Sequence, residues 1–272
     1  MPWAQLHEFR FSDPIYAKQA LFLPWDRAKS LVEFSFVMLY STNFFLAEPP
    51  LFRTTMIQSI AIASEYPREI QELLSHLDTP NLDSLNLLFT ADRFTRGWVG
   101  NLRQCCSIRI FPFLSSASDS FRLSRLGLYN LMVDESEFID CLRILSPSLT
   151  DLSIRIDEVI SPLELMTNNI LKSLACNSSA QSEPLCPILK NLTLNRSVGA
   201  DDGVLSDMVQ SRLLSQTFVN RPSYGTAVAL TMLRHSDVVF AVHTHPVDEK
   251  RLNEFYEKRL NGAAQFAQLE VG

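Results

Sequence analysis

Pro147-Ser148-Leu149-Thr150-Asp151-Leu152-Ser153-Ile154 is the stretch whose reading decides the fold. Its apolar residues end in strict alternation with polar ones, the pattern of a short strand that buries one face. The same P-x-L-x-x-L-x-L pattern, with Ile allowed last, returns at Pro80-Asn81-Leu82-Asp83-Ser84-Leu85-Asn86-Leu87 and at Pro187-Ile188-Leu189-Lys190-Asn191-Leu192-Thr193-Leu194. Leu123-Ser124-Arg125-Leu126-Gly127-Leu128 carries its core without the proline. Looser copies are Leu6/Phe9/Phe11, Leu31/Phe34/Phe36, Ile57/Ile60/Ile62 and Cys105/Ile108/Ile110. One triplet means nothing in a chain that is 46% hydrophobic, so the signal lies in recurrence. The starts fall at 6, 31, 57, 82, 105, 123, 149 and 189, spaced by 25, 26, 25, 23, 18, 26 and 40 residues.

The early period sits within the roughly 20–29 residues of one leucine-rich repeat. Between strands the chain must climb away and return, and several intervals read as amphipathic helices. Tyr66 to Leu77 places Ile70, Leu73, Leu74 and Leu77 on one face. Asp134-Glu135-Ser136-Glu137 reads as a capping box ahead of Phe138, Leu142 and Leu145, and Ser161-Pro162-Leu163-Glu164 as another helix start. Asp201 to Leu214 turns Val204, Leu205, Met208 and Val209 inward.

A strand–helix unit of this size cannot close its own core, whereas stacked units bury a continuous one. The expectation is therefore an α/β leucine-rich-repeat solenoid of about eight degenerate repeats, with a parallel sheet on the concave face. Residues 1–215 form the solenoid, and residues 216–272 a terminal repeat and capping helix packed on it. In that last part Thr226–Leu233 and Val238–Val242 read as strands and Pro246–Asn261 as a helix. The Asn or Cys that ladders the turn in tidy repeats is missing three residues past the last apolar position, where Pro14, Leu39, Glu65, Thr90, Phe113, Leu131, Asp157 and Ser197 stand. Asn177 to Pro184 reads as an exposed loop. A doubly wound α/β domain is the rival, but neither G-x-G-x-x-G nor G-x-x-x-x-G-K-S/T occurs.

Composition narrows function. A net charge of −6 argues against nucleic-acid or anionic-membrane partners, which need basic patches. No apolar run reaches the roughly 18 residues of a membrane span. Met1-Pro2-Trp3-Ala4-Gln5 lacks a signal-peptide pattern, and Cys105, Cys106, Cys141, Cys176 and Cys186 are an odd number without a C-x-x-C pair, so an intracellular protein is expected. The sequons at Asn177, Asn191 and Asn195 are then fortuitous.

Strand residues between the buried positions face the open side. Mid-solenoid this predicts an apolar strip of Leu88, Phe111 and Tyr129 bordered by Arg109, Arg125 and Arg155. Aromatics with arginine compose binding hot spots, and arginine suits a carboxylate or phosphate. The strip is read as a protein-binding surface, with no cofactor and no metal. His243-Thr244-His245 resembles the H-x-H pair of amidohydrolases, but further ligands on later strands are lacking, and His245 before Pro246 reads as a helix lead-in. Cys105-Cys106 does not read as a redox pair, since vicinal disulfides are strained and one of the two is expected buried as a repeat apolar; Asp134/Glu137 read as helix caps, and no nucleophile context such as G-x-S-x-G occurs. The expected function is non-catalytic protein–protein recognition; an α/β enzyme with an unrecognised site is the remote alternative.

Leu23-Pro24-Trp25 ahead of Leu31-Val32-Glu33-Phe34-Ser35-Phe36, the segment Phe138 to Leu149, and Leu185-Cys186-Pro187 leading into Leu189 resemble fungal F-box/leucine-rich-repeat-like proteins over roughly residues 6–215. The resemblance implies substrate binding in an F-box-type ubiquitin-ligase adaptor. Such proteins dock a Skp1-type adaptor through an N-terminal F-box whose leading L-P-x-E motif these 272 residues do not contain. The resemblance therefore implies that partner only where an F-box exists outside this sequence. A stand-alone scaffold or steric inhibitor solenoid is the other reading.

Overall fold

The computed structural model describes residues 5–11, 30–38, 52–53, 56–65, 67–75, 77–90, 108–116, 122–157, 165–176, 184–214, 233–240 and 245–269. Its strands are β1 (Glu8–Phe11), β2 (Glu33–Met38), β3 (Phe52–Arg53), β4 (Ser59–Ser64), β5 (Leu77–Asp78), β6 (Ser84–Phe89), β7 (Arg125–Tyr129), β8 (Asp151–Arg155), β9 (Asn191–Asn195) and β10 (His235–Val239). Its helices are α1 (Pro67–Ser75), α2 (Phe111–Ser116), α3 (Glu135–Leu145), α4 (Asn168–Leu174), α5 (Val204–Leu214) and α6 (Pro246–Leu269).

Eight of the strands form one open parallel sheet in the order β1-β2-β4-β6-β7-β8-β9-β10, which follows chain order with β3 and β5 left out. β3 and β5 make a separate two-stranded parallel sheet. The register follows the apolar alternation. Phe9, Phe34, Ile60, Leu85, Leu126, Leu152, Leu192 and Ser236 form one cross-strand row. Phe11, Phe36, Ile62, Leu87, Leu128, Ile154, Leu194 and Val238 form the row two residues on. A one-residue slip would turn both rows out to solvent, which is why the pattern fixes pairing so firmly. The residue three before the first row is buried at Leu31, Ile57, Leu82, Leu123, Leu149, Leu189 and Leu233.

Helices supply the other wall of the core. Ile70, Leu73 and Leu74 of α1, Phe138, Leu142 and Leu145 of α3, Ile170, Leu171 and Leu174 of α4, and Leu205, Met208 and Val209 of α5 join the strand rows in a single buried cluster. Local chemistry sets their ends. The Asp134 carboxylate accepts from the N–H groups of Ser136 and Glu137, and Thr167 Oγ1 accepts from Ile170 N–H, each satisfying otherwise orphaned donors of a first turn.

Several expectations change. The alternation at Cys105, Ile108 and Ile110 adds no strand to this sheet: β6 pairs directly with β7, Cys105 lies outside the described residues, and α2 begins at Phe111. Pro112 explains the switch, since proline fits a helix's first turn but would delete a ladder hydrogen bond in a central strand. Ile108 and Ile110 are buried even so. The eighth strand is instead β10, offset from the expected Val238–Val242, and residues 226–232 are outside the described set. Its core row carries Ser236, whose hydroxyl is 2.7 Å from the Tyr256 hydroxyl of α6, so the polar atom is satisfied where the sequence pattern broke. α6 runs past Gly262 to Leu269, beyond the expected Asn261. Ser161 to Glu164 is outside the described residues, and Leu77, expected on α1, begins β5.

A ladder-type asparagine occurs in one turn, one residue earlier than the place where the sequence pattern lacks it. Asn130, buried and with φ 58°, donates from Nδ2 to the Phe89 carbonyl at 3.1 Å and to the Asp157 carboxylate at 2.7 Å, while its Oδ1 accepts from Asp157 N–H at 2.7 Å. It thus ties the ends of β6, β7 and β8 together. Arg196 takes the same left-handed backbone (φ 54°) at the equivalent place after β9.

Candidate binding surface on the open sheet face

Residues between the two core rows point to the opposite face. There the register aligns Val37, Ala63, Leu88, Tyr129, Arg155, Asn195 and Val239 in one row, and Ser35, Ala61, Asn86, Gly127, Ser153, Thr193 and Asp237 in the next. Ala63 and Gly127 are buried, and the other residues of the two rows are partly or fully exposed. Leu88 and Tyr129 are half-buried, Arg155 is exposed, and Val239 is 44% exposed.

Gly127 shapes the middle of this face. A Cβ placed there would lie 2.8 Å from a ring carbon of Tyr129 and would overlap Asn86 Oδ1. The missing side chain is therefore what lets the tyrosine ring lie down against the sheet, a role for glycine set by space rather than by backbone angle. The Arg155 guanidinium carbon stands 5.7 Å from the ring centroid, within cation–π reach. Arg155 is exposed and has no ion-pair partner among the described residues.

The other expected residues are placed differently. Arg125 lies on the same face, but its guanidinium is 2.7 Å from the Asp83 carboxylate, which also accepts from the Ser124 hydroxyl. Partial burial pushes the Asp83 carboxyl up, yet the bonds from Ser124 and Arg125 outweigh it and hold its pKa below the ordinary value. Arg109 and Phe111 leave the strip. Arg109 precedes α2, exposed and 3.6 Å from Glu137, and Phe111 opens that helix with its N–H donated to the same carboxylate at 3.1 Å. The sheet thus brings together Leu88, Tyr129 and Arg155, with Arg125 one strand-end away, and separates Arg109 and Phe111 from them.

Val37, Ala61 and Ala63 fall on the open face by the same sequence offsets as Leu88 and Asn86, although the expected strip was confined to the middle of the sheet. Once β2, β4 and β6 are aligned, they extend the strip.

The chain matches no family model, no curated protein and no solved structure.

Elsewhere the described residues offer little for covalent chemistry. Burial pushes the thiols of Cys141 and Cys186 up to about 12, which keeps them protonated and poor nucleophiles at neutral pH. Cys105, Cys106, His243 and Thr244 are outside the described residues. A cavity of about 140 Å³ between β10, α5 and α6 is lined mainly by Val209, Leu213, Leu233, Leu252 and Phe255, with hydroxyls from Ser236 and Tyr256. Its volume is below the roughly 300 Å³ where small-molecule sites begin. No described helix is long and apolar enough to cross a membrane.

Proposed function

We propose that this chain is a non-catalytic recognition solenoid of the leucine-rich-repeat type, which holds a protein partner against the open face of its sheet. One observation carries the reading: Val37, Leu88, Tyr129 and Arg155 stand in one row with the buried Ala63 across five neighbouring strands, on the face turned away from the two apolar core rows.

Neighbouring strands are about 4.8 Å apart, so the row runs roughly 20 Å across the sheet. That length suits one turn-rich or extended segment laid across the strands. Leu88 and Tyr129 supply rigid apolar area over the small floor of Ala61 and Ala63, the kind of centre from which water is expelled on binding. Arg155, steered by the ring beneath it, presents its free donors at one end and suits a carboxylate or phosphate of the partner. The chain's acidity fits protein rather than nucleic acid as partner.

The finer reading, substrate binding for an F-box-type ubiquitin-ligase adaptor, rests on the sequence resemblance alone and needs a Skp1-type docking module beyond these residues. Quantitative affinity capture tests both levels. Wild type is compared with the pair Leu88→Asp/Arg155→Glu and with Arg109→Glu as an off-face control. Partners that survive the control and vanish with the pair support the surface; identical capture by all three overturns it. Recovery of a Skp1-type adaptor with the longest gene product supports the ligase role, and its absence there leaves the stand-alone scaffold.

A further inference from the structure

The open face leaves one polar cluster unexplained, where α5 and α6 begin. Asp202, His245 and Asp248 each offer a ligand atom there, and these atoms all lie within 4.8 Å of one another. Part of the cluster is helix capping. Both Asp202 oxygens accept from Val247 N–H, at 3.0 and 3.1 Å, and Oδ1 also accepts from Asp248 N–H at 3.0 Å. Asp248 Oδ1 accepts from Ser206 N–H at 2.7 Å in the first turn of α5. Each helix start thus receives a carboxylate from the other segment.

Capping does not account for the remaining atoms. His245 Nδ1 and Asp248 Oδ2 are buried and have no hydrogen-bond partner among the described residues. The two side chains are 8% and 0% exposed, and the two atoms face each other at 3.4 Å. A buried carboxylate oxygen and a buried imidazole nitrogen without a hydrogen bond are costly, so either a proton on His245 makes them an ion pair or a cation joins them. Their separation is itself informative. Zinc–ligand bonds of about 2.0–2.1 Å in tetrahedral array put neighbouring ligand atoms about 3.3–3.4 Å apart.

We propose that Asp202, His245 and Asp248 bind one divalent transition-metal ion of the zinc type. The ion accepts one bond each from Asp248 Oδ2, His245 Nδ1 and an Asp202 oxygen, and its fourth position is left to water. Two carboxylates match the ion's double charge, so no net charge is buried. Arg251, whose charge also acts on Asp202, is paired to Asp207 at 2.7 Å. The Phe240 ring stacks on the His245 ring at 4.7 Å between centroids and fixes its orientation. Bound there, the ion ties the lead into α6 to the start of α5 and so fastens the last helix to the sheet. An H-x-H pair calls for ligands on later strands, whereas Asp202 lies upstream of His245 in the chain.

The test uses the full chain, stripped with a chelator and titrated with Zn²⁺ by calorimetry, with metal content per chain measured after dialysis. Co²⁺ is added as a spectroscopic probe of tetrahedral coordination. The expected result is one ion per chain, a higher melting temperature on Zn²⁺ addition, and at least a tenfold loss of affinity in Asp202→Asn and His245→Gln. Asp202 is exposed, and asparagine keeps an oxygen for the α6 N–H groups, so that variant remains informative should His245→Gln fail to fold. Asp207→Asn, an acid close by but outside the cluster, should bind as wild type does. Absence of saturable uptake overturns the proposal, as does unchanged affinity in Asp202→Asn. Stability that responds to pH but not to metal also overturns it, and assigns His245 and Asp248 to a simple ion pair.

Discussion

Replacing Asn130 with alanine isolates what the turn ladder contributes. The side chain is 3% exposed and makes three hydrogen bonds, to Phe89 O, Asp157 Oδ2 and Asp157 N–H. Alanine removes the bonds to the Phe89 carbonyl and from the Asp157 N–H, at about 1 kcal/mol each. It also holds a left-handed backbone that asparagine tolerates better, for about 1 kcal/mol more. The expected loss is therefore about 3 kcal/mol, read by urea unfolding followed by far-UV circular dichroism. Glycine removes the backbone penalty but not the lost bonds, so Asn130→Gly should fall between, about 1 kcal/mol above alanine. Asn130→Asp keeps the size but sets a carboxylate against Asp157 and the Phe89 carbonyl; it should be the worst of the three at pH 7 and recover in acid. If alanine costs under 1 kcal/mol, or proves more stable than glycine, the ladder is not holding β6, β7 and β8 together.

Three further outcomes follow from particular contacts. Arg212, wholly buried, donates to the carbonyls of Leu174, Leu185 and Cys186 at 2.7, 2.6 and 3.0 Å, so Arg212→Met should cost about 3 kcal/mol or more in guanidinium unfolding, and lysine, lacking the planar fork, should rescue little of it. Gly127→Ala should leave the chain folded but lift the Tyr129 ring, which NMR would detect as loss of the ring-current shift on the Arg155 side-chain protons; unchanged shifts would show that the ring does not need the glycine's space. The Asp83 carboxyl titrates lower folded than unfolded, so its contribution is complete above the unfolded value of about 3.9 and disappears as pH falls through the folded one. Acid titration of Asp83→Asn should accordingly show a shallower stability loss below about pH 4 than wild type.

What could be read from sequence was whatever is local and periodic. Alternation around Leu152, Leu192 and Leu85 announces a strand wherever it occurs, and seven of the eight expected alternations lie in the sheet at equivalent register. The eighth failed at Ile108 and Ile110 because an apolar alternation beside Pro112 satisfies burial without needing a ladder, and burial is all that the pattern encodes. β10 escaped for the converse reason: its core position is Ser236, satisfied only by Tyr256, a residue on another element. The same distinction governs the sites. Tyr129 and Arg155 were legible, since they follow their own repeat's apolar residues by a fixed offset. Asn130, Arg212 and the Asp202–His245–Asp248 cluster were not. Each is defined by partners about 26 to 46 positions away in the chain, and a polar residue's partner is invisible to a period. The contacts that close this fold at its turns and at its last helix are thus polar and non-local, while those that repeat along it are apolar and local. The open face tolerates wide change away from Gly127, because the apolar rows that specify strand pairing lie on the other face of the sheet.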